Sequence, residues 1–75
     1  MTQSGKDILE EMRRQTQQSI DNMQNRRPEV LQTLEENAKS RGADDPSEAA
    51  LKDYYTILAQ QRFNLQALDE AIESS

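Results

Sequence analysis

The sequence predicts an all-α protein, an antiparallel helical hairpin made of a long kinked first helix and a capped second helix. Three observations lead there. Asp45-Pro46-Ser47-Glu48 is a sharp helix start. Leu51, Tyr54, Leu58, Gln61, Leu65, Leu68 and Ile72 then recur every three or four residues, which is a heptad seam. Arg41-Gly42, just upstream, is a helix stop, so the connection between the two helices is short and their axes antiparallel.

The first helix is expected over about residues 5–41. Met1 to Gln3 should fray. Ser4-Gly5-Lys6-Asp7 reads as a capping box with Ser4 as the cap. Apolar positions follow at Ile8, Leu9, Met12, Ile20 and Met23, with Thr16 in the same stripe. Glu10–Arg14, Glu35–Lys39 and Glu48–Lys52 are i,i+4 pairs in the favourable orientation, each worth a few tenths of a kcal/mol.

Pro28 divides the reading. Inside a helix, proline costs about 3 kcal/mol and disfavours α geometry at the preceding residue. A break there would give the alternative fold, a three-helix bundle split at Pro28. Phase favours continuity: Val30, Leu31, Leu34 and Ala38, counted through Pro28, stay within about 20° of the stripe set by Leu9 to Met23. A kink preserves that phase, and a loop has no reason to.

Residues 42–45 form the turn. Gly42 suits the left-handed position that closes a helix, and Lys39 and Arg41 suit the negative end of the helix dipole. The second helix is expected over about 46–73, and the whole of 1–75 as one helical domain. Asp45 caps the second helix, Pro46 sits where no helical hydrogen bond is lost, and Glu48 completes the box. A second stripe, Tyr55, Ala59, Phe63, Ala67 and Ala71, recurs every four residues, and Phe63 points almost opposite the seam. A helix with one buried face would not place its sole phenylalanine there, although isolated exposed apolar residues are ordinary.

Closing the hairpin sets a core of Ile20, Met23, Val30, Leu34, Leu51, Tyr54, Leu58, Leu65, Leu68 and Ile72. One consistent register puts Leu34 opposite Tyr54, Val30 opposite Leu58, Met23 opposite Leu65 and Arg27 opposite Gln61, so that the polar interruptions of both stripes coincide. Two apolar features are then left uncovered: Ile8, Leu9 and Met12, which overhang the second helix, and the stripe centred on Tyr55 and Phe63. These five residues are the candidate protein-binding surface.

Composition narrows the function. Leu, Ile, Val and Phe number 13 of 75, so the core is thin. A chain this short buries only about 60% of its unfolded surface and usually needs an oligomer or partner to be robust. Net charge is −5, which argues against nucleic acid, since phosphates call for a positive surface. The pairs Arg13-Arg14 and Arg26-Arg27 are too few to reverse that. No apolar run approaches the ~18 residues of a membrane span and no signal-peptide pattern follows Met1, so a cytoplasmic protein is expected.

Chemistry finds little foothold. Cysteine and histidine are both absent, which removes disulfides and the usual acid–base and nucleophilic side chains. A helical pair offers no pocket in which a carboxylate is desolvated. Asp44-Asp45 lacks the spacing of a calcium loop and reads as a helix cap. No glycine-rich phosphate loop occurs. No enzyme, no metal and no cofactor is expected.

What remains is packing against another protein. The acidic, cysteine-free chain, the long first helix, the turn Arg41-Gly42-Ala43-Asp44-Asp45 and the closing Ala67-Leu68-Asp69-Glu70-Ala71-Ile72 together resemble the small co-chaperones of type III secretion needle subunits (the YscE, PscE and EscE type) over about residues 30–72. The resemblance implies a hairpin that binds a tetratricopeptide-type chaperone and helps keep a needle subunit soluble in the cytosol. Residues near Leu51, Tyr54 and Leu58 would then hold the hairpin together. The alternative is a self-assembling coiled-coil scaffold or oligomerisation element, with a homodimer its simplest form. A third class, a subunit lending one helix to a larger active site, has the least support.

Overall fold

The computed structural model describes residues 5–74. Ser4, the expected first cap, and Met1 to Gln3 lie outside them. The described residues are helical apart from two short interruptions: α1 is Gly5–Asn25, α2 is Arg27–Ser40 and α3 is Pro46–Ser74. The three helices pack into a rod of 51 × 21 × 20 Å. Both α1 and α2 lie against α3, and they contact each other far less.

The sequence reading expects one long helix over about 5–41, kinked at Pro28. The interruption falls instead at Arg26, a single residue with φ −113° and ψ 32°. Proline has no N–H to donate to the carbonyl four residues back, here Gln24, and its ring crowds that carbonyl, so the disturbance falls upstream of Pro28. Pro28 itself then occupies the first turn of α2, where its missing N–H satisfies nothing anyway. Helical bonding closes around the break: the Arg26 N–H donates to the Asn22 carbonyl at 2.9 Å and the Val30 N–H to the Arg26 carbonyl at 3.0 Å.

The α2–α3 connection is built from two caps. The Ala43 N–H reaches back to the Ala38 carbonyl and the Gly42 N–H to the Lys39 carbonyl, both at 3.0 Å, with Gly42 at φ 79°. These paired bonds absorb carbonyls that the helix end leaves without a donor, and they require the left-handed backbone that glycine adopts without strain. On the far side the Asp45 carboxylate accepts the Glu48 N–H at 3.2 Å, and the Ala49 N–H donates to the Asp45 carbonyl at 3.0 Å. An ion pair between Arg41 and Asp53, 3.1 Å, spans the turn.

The core is small. Ile20, Met23, Tyr54 and Leu58 form its buried cluster, with Val30, Leu31, Leu34 and Leu65 packed partly against it. Ala38 and Ala50, buried near the connection, are small side chains that leave room for close helix approach. Leu68 and Ile72 are half-buried. Leu51, assigned by its spacing to the core, is 40% exposed. The buried arc at this end runs through Ala50, Tyr54 and Leu58, and Leu51 falls on its flank, where it borders a shallow groove with Pro28 and Leu31.

Polar contacts outside the core also depart from simple spacing. Lys39 and Glu35 pair at 3.9 Å, but Arg14 turns to Glu11 rather than Glu10. Among the described residues Glu48 and Lys52 form no ion pair. Arg13 reaches Asp69 of α3. Among the described residues no buried side-chain nitrogen or oxygen lacks a hydrogen-bond partner.

Candidate protein-binding surface

The outward face of α3 follows from its inward one. Tyr54 and Leu58 point into the core, so residues about half a helical turn away point to solvent. Phe63 is 69% exposed and Tyr55 54%, the two most exposed of the large apolar side chains described. Ala59 lies between them, exposed, and Ala67 continues the stripe. Two shallow grooves flank the phenylalanine. Lys52, Tyr55, Thr56, Ala59, Gln60 and Phe63 line one; Tyr55, Leu58, Ala59, Arg62, Phe63 and Gln66 line the other. Their lining carries two cations and no carboxylate, on a chain whose net charge is −5.

Tyr55 is held from one side. The Arg27 guanidinium donates to its hydroxyl at 2.7 Å and lies 5.7 Å from its ring centre. The same guanidinium lies 5.5 Å from the Tyr54 ring, and the two rings meet edge to face at 5.3 Å. The register expected from the sequence puts Arg27 opposite Gln61. It sits instead at the tyrosine pair, where two aromatic rings attract a cation and the Tyr55 phenol oxygen accepts a hydrogen bond from it. Sequence spacing contains no signal for this, because the pairing depends on how α2 lies on α3.

At the other end of the rod, Ile8 and Met12 are 48% and 47% exposed, while Leu9 is half-buried. The uncovered apolar surface of α1 is therefore two residues rather than the three expected. The five candidate residues do not form one patch: Tyr55 and Phe63 share the α3 face, and Ile8, Leu9 and Met12 lie on α1. Sequence reasoning also passed over Ile57, 40% exposed beside Leu34, Arg41 and Asp53. It belongs to neither stripe of α3, so periodicity gives no reason to single it out.

Among the described residues no group of three or more acidic side chains is arranged to hold a metal ion. No described helix is long and apolar enough to cross a membrane. Comparison of the chain with protein-family models, curated proteins and solved structures finds no match.

Proposed function

We propose that the chain is a non-catalytic, cytoplasmic protein-binding module that works as an antiparallel helical hairpin, with α1 and α2 as one interrupted limb and α3 as the other. Two features support the hairpin: the interruption at Arg26 is one residue long, and Arg13–Asp69 and Arg41–Asp53 tie the first limb to α3 at two separated points. The observation that carries the functional reading is the exposure of Phe63, one turn beyond Ala59 and two beyond Tyr55 on the outward face of α3. An aromatic set beside a small residue is a fitting knob for a partner helix. Burying Phe63 would contribute about 2–3 kcal/mol, enough to matter at an interface.

The resemblance to needle-subunit co-chaperones gives this reading its specific form. The partners are a tetratricopeptide-type chaperone and a needle subunit, and the outcome is a needle subunit kept soluble. The test is co-expression with both proteins from the same secretion system, followed by sedimentation. The needle subunit stays in the supernatant with the parent chain and pellets with Phe63→Asp, whose helicity by circular dichroism is unchanged. Ile8→Asp, at the α1 end, weakens capture less. A needle subunit equally soluble with parent, variant or no chain at all overturns the reading.

A further inference from the structure

The outward face of α3 has a second property, independent of its apolar character. Lys52, Thr56, Ala59, Phe63, Gln66 and Glu70 are all exposed and succeed one another in alternating steps of four and three residues, which is a heptad seam on the side opposite the core. The steps read the same from either end. A two-fold axis between two antiparallel α3 helices, level with residue 61, sets Lys52 opposite Glu70, Thr56 opposite Gln66 and Ala59 opposite Phe63. Each match is complementary in kind: cation with anion, hydroxyl with amide, small apolar with large. Among the described residues neither Lys52 nor Glu70 belongs to an ion pair within its own chain.

We infer that the occupant of this face in the isolated protein is a second copy of the same chain, docked antiparallel through α3. Closed two-fold pairing is the symmetry that a self-complementary patch generates. Each Phe63 packs on Ala59 of the other copy, and both ends are closed by a Lys52–Glu70 pair. Register is decided by charge, because sliding either helix by a heptad separates both pairs. The contact spans about 27 Å of helix, from Lys52 to Glu70 at 1.5 Å per residue. Its apolar centre is only two Phe63–Ala59 contacts, so the dimer is weak, with Kd about 10–100 µM. This goes beyond the partner-capture reading and does not depend on it: a partner using the same face displaces the second copy.

The experiment is sedimentation equilibrium of the purified chain without any partner, with circular dichroism to establish that each variant is folded. The parent forms a dimer that dissociates on dilution. Lys52→Glu and Glu70→Lys each place like charges opposite one another at both ends and weaken self-association about tenfold or more. Mixing the two variants restores association, because in the mixed dimer both ends again join a cation to an anion. A parent that stays monomeric at about 1 mM, well above the expected Kd, overturns the inference. So does growth beyond a dimer, or a mixture that associates no better than its separate components.

Discussion

The Tyr54 hydroxyl donates to the Met23 carbonyl at 2.9 Å, joining the N-terminal third of α3 to the last turn of α1. Carbonyls in a last turn have no donor within their own helix. Both residues are buried, so water is a poor substitute. The bond thus links the interruption at Arg26 to the core: α1 can end there because α3 supplies the missing donor. Tyr54→Phe keeps the ring and removes only the hydroxyl. It is expected to cost about 1–2 kcal/mol, the range for leaving a buried acceptor unpaired. Urea denaturation measures this, and a midpoint equal to the parent's would mean that the carbonyl is satisfied otherwise.

Core substitutions should separate the two faces of α3. Leu58→Ala, at a buried position of the cluster, is expected to cost about 2–4 kcal/mol. Leu65→Ala costs less than that, since Leu65 is only half-buried. Phe63→Ala should cost under ~1 kcal/mol in the monomer. Dilute samples, compared by chemical denaturation, check the ranking; a Phe63→Ala loss matching that of Leu58→Ala would place the phenylalanine in the core.

Gly42→Ala tests the connection. Apart from Gly42 and its two chain neighbours, no described atom lies within 4 Å of where the new Cβ would sit, so clashes with the rest of the fold contribute nothing. The backbone conformation at φ 79° does contribute, and the expected loss is about 1–2 kcal/mol. Gly42→Asn, which tolerates the left-handed region better, should lose less. Thermal melts of the two variants decide it: if alanine and asparagine behave alike, the left-handed requirement is not what limits the turn.

Asp45→Ala removes the acceptor for the Glu48 N–H and should destabilise by about 1 kcal/mol. Asp45→Asn, which keeps an acceptor oxygen, should recover most of that loss. Equal losses in the two variants, read from denaturation midpoints, would assign the effect to charge rather than to the cap bond.

The isolated protein is expected to be helical yet marginally stable, because ~1–2 kcal/mol of backbone entropy per residue is set against a core in which, among the described residues, only Ile20, Met23, Tyr54 and Leu58 are large and buried. Circular dichroism over a range of concentrations tests this. A midpoint above 90 °C that does not move with concentration would show stability the core does not explain.

Local chemistry made much of this architecture legible in the sequence. Asp45, Pro46 and Glu48 mark the start of α3 through interactions confined to one turn, and Gly42 marks the end of α2 because few residues accept its backbone angles. The spacing of Tyr54 and Leu58 against that of Phe63 separates a buried face from an exposed one, since both follow from the same 3.6-residue period. What spacing does not contain is how one helix lies on another. That relation turned Leu51 to the flank while burying Ala38 and Ala50, and brought Arg27 to Tyr54 and Tyr55. Each of those outcomes depends on distances between residues far apart in the chain, where moving one position along a helix turns a side chain about 100° around it. The local signals are properties of single turns; the core, the tyrosine–arginine cluster and the face left open on α3 exist only once the three helices have packed.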